Sequence, residues 1–211
     1  MVTIKHIHCC LAIATALFLL NCTSTKNLQP KSFTKKEAML ITHGDYTTPM
    51  RVYKITNKSD SILLRQKSSY IKPDPSNQLL QTFVKKLYAT VRDSMSLGVG
   101  IAAPQVGILK NIIWVQRFDK DNFPFEVYLN PEIVIYSPET QTVREGCLSI
   151  PNRSETLSSR SKAINIAYDT LKGEHKLEHV EGFTAVIFQH EVDHLNGILY
   201  LDHLKKDMQS P

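Results

Sequence analysis

Apolar residues recur at helical spacing in one stretch of the chain, at Leu79, Leu80, Phe83, Leu87, Tyr88 and Val91. Positions three or four residues apart lie on one face of a helix, so the pattern predicts an amphipathic helix with one buried side. Pro73 and Pro75 punctuate the chain before it, and Ser76 or Asn77 can cap its first turn. We expect this helix to pack into the core.

The pattern changes to that of strands further along the chain. β-branched and aromatic residues dominate 111–118, 125–129 and 132–136, and apolar and polar residues alternate over 163–168. These segments predict short strands, with 174–180 returning as a partner strand. Turns are expected at Asn130-Pro131, at Ser137-Pro138 and over 169–173.

A second helix is predicted near the C-terminus, where Phe183, Val186, Ile187 and His190 share one helical face. Earlier, the apolar cluster at residues 62–64 is expected to be the first piece that docks on the folded body. A series of strands, with one helix within the domain and one near its end, predicts an α+β domain with mixed or antiparallel sheets.

The N-terminus has the pattern of a targeting segment. Lys5 precedes the apolar run 9–20, which is too short to span a bilayer and suits the core of a signal peptide. Asn21 and Cys22 follow the run, and the whole resembles a bacterial lipoprotein signal in which Cys22 becomes lipidated. Asn21 departs from that pattern, because a small residue is expected before the cysteine. An uncleaved signal anchor is the rival interpretation.

The chain is therefore expected to comprise a leader over 1–22, a polar tether over 23–50 and one globular domain over 51–211. Lipidation at Cys22 predicts a membrane-anchored protein that faces the periplasm or the exterior. If translation starts at Met50 instead, the product is expected to be cytoplasmic.

Charge and cysteine content narrow the function classes. The net charge is +5 over 211 residues, but the basic residues are dispersed, so no nucleic-acid partner is expected. Three of the four cysteines lie in the leader, which leaves Cys147 as the only thiol of the body and argues against a disulfide framework.

The segment from Gln189 to Gly197 carries candidate metal chemistry. His190 and His194 are four residues apart, so a helix places both on one face, where they can hold one ion. Glu191 then lies beside that ion, where a general base is needed. Two histidines that share this spacing by chance are the alternative, and a third ligand is required.

The third ligand decides the class of site. Downstream, Tyr200 stands where the metzincin pattern has its third histidine, and Asp202, His203 and Asp207 are weaker candidates. Upstream lies Cys147, which with two histidines leaves an open fourth position, as in catalytic sites.

Three segments, GVGIAAPQ at 98–105, EGCLS at 145–149 and QHEVDHLNG at 189–197, resemble in order and spacing the signature motifs of the peptide deformylases. The resemblance extends over roughly residues 62–204. It implies an α+β fold with the HExxH helix packed centrally against the sheets. It also implies one divalent metal, Fe²⁺ or alternatively Zn²⁺ or Ni²⁺, held by Cys147, His190 and His194.

The resemblance further implies removal of the formyl group from N-formyl-methionyl peptides or nascent chains, with release of formate. Metal-bound hydroxide is expected to attack the formyl carbon, with Glu191 as general base and then acid. The side-chain amide of Gln105 and the backbone N–H of Leu148 are expected to hold the carbonyl oxygen. The predicted substrate-binding residues are Val99, Gly100 and Gly146, and a monomer is expected.

One position departs from the family pattern, and two other functions compete. Ser154 stands where the family often has an arginine, although Arg153 or Arg160 could supply that charge. A membrane-tethered HExxH metalloprotease is the first alternative. The second is a catalytically impaired formyl-peptide-binding paralogue, which the presence of Glu191 and Gln105 disfavours.

Overall fold

The structure is a computed structural model that describes residues 32–93 and 98–208. The predicted leader over 1–22, with the predicted lipidation site Cys22, lies outside these ranges. Within them, no helix combines the length and the apolar character needed to cross a membrane.

The helix predicted from the pattern of residues 79–91 is present as α3. Its N-cap is Asn77, whose side chain accepts a hydrogen bond from the backbone N–H of Leu80 at 3.1 Å. Its buried face includes Phe83 and Leu87, as the periodicity requires. The described helices are α1 Lys35–Thr42, α2 Lys58–Leu64, α3 Gln78–Val91, α4 Gly182–Leu195 and α5 Tyr200–Asp207.

All strand pairs in the two sheets are antiparallel. The larger sheet has the order β1-β2-β3-β6-β7, and the smaller one is the hairpin β4-β5. The strands are β1 Gly100–Ala102, β2 Ile112–Gln116, β3 Phe125–Tyr136, β4 Thr140–Cys147, β5 Ile150–Ser161, β6 Ala163–Asp169 and β7 His175–Glu181. The predicted α+β class with antiparallel sheets is confirmed.

The turn predicted at Asn130-Pro131 is wrong, because β3 continues through it. Asn130 has a φ of 51°, and the register against β6 shifts between Leu129 and Glu132. The Asn130 amide donates 2.8 Å hydrogen bonds to the carbonyl of Ile71 and to Asp169 Oδ2. A bulge with a bonded side chain therefore replaces the turn.

The polar tether predicted over 23–50 needs correction, because residues 35–42 belong to the folded body. Thr34 and Glu37 form a capping box that starts α1. Ile41 is fully buried in the same apolar cluster as Phe83 of α3. Lys86 of α3 donates a hydrogen bond to the carbonyl of His43.

Helix α4, which carries the HExxH residues, contacts strands of both sheets. Phe188 and Leu195 of this helix pack in one apolar cluster with Val115 and Ile166 of the larger sheet. The hairpin β4-β5 has its own small cluster, in which Leu157 meets α5. The fold thereby holds α4 close to the end of β4, where Cys147 lies.

Candidate active site

The sulfur of Cys147 and the ring nitrogens of His190 and His194 converge at one point. Cys147 is the last residue of β4, and both histidines lie on α4. Their ligand atoms all lie within 4.8 Å of one another. Cys147 Sγ is 3.2 Å from Nε2 of His194. Of the candidates for a third ligand, the structure brings Cys147 to the histidines.

The downstream candidates are used elsewhere. Asp202 pairs with Arg65, and Nε2 of His203 is 2.8 Å from Asp193 Oδ2. Asp207 accepts a backbone hydrogen bond from β5. None of these three belongs to the group of potential metal ligands found in the described residues.

A second layer of charged side chains fixes the orientation of His190. Nδ1 of His190 lies 2.7 Å from Oε2 of Glu145, which leaves Nε2 available for a metal. Arg160 donates to both oxygens of Glu145, at 2.7 and 3.0 Å, and to Asp193 at 2.6 Å. Although burial opposes it, the bonds from His190 and Arg160 lower the pKa of Glu145 to about 2.

The donor set suits a divalent transition metal ion. Burial alone would raise the pKa of the Cys147 thiol, but His194 and His190 hold it well below its usual range. A thiolate and two imidazoles are ligands that zinc and iron prefer over magnesium or calcium. Three protein ligands leave a position open for water or substrate.

Glu191 lies buried beside this group, with only 4% of its surface exposed. Its Oε2 atom has no hydrogen-bond partner among the described residues. Burial raises the pKa of Glu191 to about 7, against the opposing influence of His190 and His194. A carboxyl group with a pKa near neutrality can both take up and return a proton.

Gly100 of β1 leaves the space that Glu191 occupies. A Cβ atom at Gly100 would lie 2.5 Å from Oε1 of Glu191 and 2.8 Å from Cγ2 of Ile187. Any side chain at this position would displace the carboxylate, so the close approach requires glycine.

The Gln105 side chain is held with its nitrogen towards the cysteine. Oε1 accepts a hydrogen bond from the backbone N–H of Ala102 at 2.8 Å, which fixes the orientation of the amide. Nε2 then lies 3.6 Å from Cys147 Sγ and 3.3 Å from Ser149 Oγ. The amide is thereby placed as a donor next to the candidate metal ligands.

The site opens into a cleft with a volume of about 490 Å³. The predicted substrate-binding residues Val99, Gly100 and Gly146 all line it, together with Leu148. Strands β1 and β4, on either side, are each at the edge of their sheets. The remaining apolar lining consists of Ile150, Pro151, Phe183, Val186 and Ile187.

The interpretation of the sequence missed the roles of Glu145 and Arg160. Glu145 is two residues from Cys147 on one strand, and residues at that spacing share a face. Their spacing therefore indicates that Glu145 lies on the same side as the candidate ligand. Arg160 was considered only as a charge for the substrate, whereas it is buried against Glu145. Asp193 on α4 accepts a hydrogen bond from Arg160 at 2.6 Å.

Comparison with known proteins assigns the family. The profile described as polypeptide deformylase matches residues 52–210. The chain belongs to this family. The peptide deformylase of Desulforudis audaxviator is 37% identical over 155 residues, which are 72% of this chain and 94% of that protein.

Two further relatives extend the comparison of this polypeptide deformylase, one through its sequence and one through its solved structure. The peptide deformylase of Thermotoga neapolitana is 48% identical over 111 residues, covering 51% of this chain and only 63% of that protein's length. The Met-Ala-Ser-bound crystal structure of the Acinetobacter baumannii enzyme is 34% identical and has a TM-score of 0.65. That match covers 74% of this chain and 99% of the other.

Proposed function

We propose that this protein hydrolyses the N-formyl group of N-formyl-methionyl peptides, releasing formate and a free N-terminal amine. The observation that carries the proposal is the convergence of Cys147, His190 and His194 beside the buried carboxyl of Glu191. In a member of the polypeptide deformylase family, this combination supports hydrolysis of a formamide bond.

The three ligands would hold one divalent metal ion, for which we propose Fe²⁺, with Zn²⁺ or Ni²⁺ as alternatives. When bound, such an ion polarises a carbonyl group and lowers the pKa of a water molecule. Glu145 and Arg160 would keep His190 in the orientation that this binding needs.

Glu191 and Gln105 would serve the reacting group itself. Glu191 would take a proton from the attacking water and return it to the leaving amine, for which its pKa of about 7 is suited. Nε2 of Gln105 would donate to the developing oxyanion, together with the backbone N–H of Leu148. Each such donor typically lowers the activation barrier by about 3 kcal/mol.

The peptide would lie extended in the cleft between the edges of β1 and β4, where Gly100 and Gly146 leave the backbone accessible. The methionine side chain would occupy the apolar lining, to which Ile150 and Val186 contribute. The Met-Ala-Ser peptide bound to the Acinetobacter baumannii relative supports a peptide substrate that begins with methionine.

The decisive measurement is formate release from an N-formyl-Met peptide by protein loaded anaerobically with Fe²⁺. The Glu191→Ala variant should bind the metal and lose at least about 100-fold in rate, because proton transfer of this kind typically contributes 10²–10⁴-fold. Folded, metal-loaded protein that binds formyl peptide without releasing formate would instead identify a binding paralogue.

The ligand set can be tested without activity. Protein substituted with Co²⁺ should show a sulfur-to-metal charge-transfer absorption, and Cys147→Ser should abolish that band. A band that persists in the variant would exclude Cys147 as a ligand.

We further propose that Cys22 is lipidated and anchors the protein to a membrane, facing the periplasm or the exterior. The support is the sequence of the leader alone. Labelling of cells with a radioactive fatty acid should mark the full chain but not its Cys22→Ser variant. An unlabelled, cytoplasmic product would favour the start at Met50.

A further inference from the structure

Two basic side chains of the described residues belong to the lining of the cleft. Lys54 and Arg144 both line the cleft and are exposed. Among residues 32–93 and 98–208, neither of them is within ion-pair distance of an acidic group. The only side-chain bond found for Arg144 in this part of the chain joins its Nε to Oγ of Ser154 at 2.9 Å.

The backbone holds Lys54 firmly at this place. Consecutive N–H groups of Tyr53, Lys54 and Ile55 donate to the Gln105 carbonyl, to Asp60 and to the Ser149 carbonyl, at 2.7, 3.1 and 3.0 Å. The backbone at Lys54 is therefore held between Gln105, a candidate catalytic residue, and Ser149, two residues after Cys147.

Apart from Glu191, which is buried beside the candidate metal ligands, the carboxylates nearest to these two side chains pair with other cations. Asp60 accepts both ends of the Arg51 guanidinium, at 2.7 and 2.9 Å. Glu145, which lines the cleft, pairs with Arg160, and Arg153, which also lines it, pairs with Glu155. Lys54 and Asp93 both line an adjoining cavity, and in the part of the chain that the structure describes they form no ion pair. The charges of Lys54 and Arg144 thus remain available to a ligand.

The position of Arg144 indicates where along a peptide an anion would meet these cations. Arg144 is three residues before Cys147 on β4, which corresponds to about 10 Å along a strand. An extended peptide covers the same distance in about three residues, counted from its formyl group at the metal ligands.

We propose that Lys54 and Arg144 form a subsite for a carboxylate at about the third residue of the formyl peptide. This inference rests on the proposed deformylase function and refines its substrate class. A free C-terminus places a carboxylate there in a tripeptide, and an acidic third side chain is the other source. The preferred substrates are then short, free formyl peptides or peptides with an early acidic residue.

The test compares three substrates at low salt: formyl-Met-Ala-Ser with a free carboxylate, its C-terminal amide, and the amide of formyl-Met-Ala-Asp. We expect kcat/KM for the free acid to exceed that of its amide by about five-fold, since an exposed ion pair contributes a factor of about two to five. The aspartyl amide shows whether a side-chain carboxylate is accepted as well. The advantage should fall towards unity in 1 M salt, where the screening length is about 3 Å.

The variants Lys54→Met and Arg144→Met should each reduce this preference about two-fold, and the double variant should abolish it. In all of them the rate on the neutral amide should fall less than the rate on the free acid. Lys172→Met, which removes an exposed lysine outside the cleft, is the matched control.

Equal kcat/KM for all three substrates in the wild-type protein would overturn the subsite, and so would a preference that the double variant retains. Absence of formate from every substrate would be a different result, because it contradicts the proposed function itself.

Discussion

Nδ1 of His190 lies 2.7 Å from Oε2 of Glu145, and this contact joins the candidate metal ligand to a buried ion pair. Arg160, which holds Glu145, also reaches Asp193 on the same helix as His190. Strand β4, strand β5 and helix α4 are therefore connected through one arginine. The orientation of the imidazole depends on all three elements.

Glu145→Gln should weaken metal binding by about 10- to 100-fold, because the amide cannot accept from His190 and Arg160 as strongly as the carboxylate does. Competition with a chelator measures this affinity directly. Glu155→Gln, in an exposed pair on β5, is the matched control and should leave the affinity unchanged. Equal affinity for both variants would contradict the role of Glu145.

Gly100→Ala should lower kcat at least about ten-fold while the protein still folds and binds metal. The added methyl group would lie 2.5 Å from Oε1 of Glu191, so the carboxyl group must move away from the reacting atoms. Gly146→Ala serves for comparison, because its nearest atom would be 3.8 Å away. Wild-type kcat in Gly100→Ala would show that Glu191 can shift without consequence.

Asp60→Asn should destabilise the protein by about 2 kcal/mol at neutral pH, since it removes charge-assisted hydrogen bonds. The bond from Arg51 holds the pKa of Asp60 below its usual 3.8. A lowered folded-state pKa stabilises the protein above the unfolded value, and this contribution is lost as the pH falls through the folded value.

The difference in unfolding free energy between wild type and Asp60→Asn should therefore shrink below about pH 4. Urea denaturation at several pH values provides the measurement. Asp121→Asn, which removes an exposed carboxylate, should show little difference at any pH. A gap for Asp60→Asn that stays constant down to pH 2 would contradict the assignment.

Gly197→Ala should destabilise the fold by at least about 2 kcal/mol. Gly197 has a φ of 71°, and a Cβ atom there would collide with the backbone carbonyl of Arg65. Thermal unfolding should show a clear drop in midpoint. Gly98→Ala, whose φ is not left-handed and whose nearest contact is a side chain at 3.0 Å, should cost less.

The sequence predicted those elements in which apolar residues recur at the regular spacing of a helix or a strand. Helix α3 has a regular apolar face, and its cap at Asn77 has the expected residue type. Strand β5 was missed because residues 150–161 include few apolar positions. Its buried residues include Arg160 and Ser161, which bond to polar groups instead of an apolar layer.

The candidate ligands could be found from spacing and from the scarcity of cysteine in the body, but their surroundings could not. The contact between Arg160 and Glu145 joins residues fifteen apart on a hairpin with shifted register. The bulge at Asn130 likewise depends on Ile71 and Asp169, which are distant in sequence. Such pairs are determined by tertiary packing, which a local pattern does not report.

Because helix α1 precedes Met50, the position of the start codon affects the stability of the protein. A product that begins at Met50 would lack Ile41, which fills the apolar cluster beside Phe83, and the carbonyl of His43 that receives Lys86. The truncated protein would uncover apolar surface on α3 and leave a buried ammonium group without its acceptor. The shorter product would therefore be a less stable protein, and expression should begin upstream of Phe33.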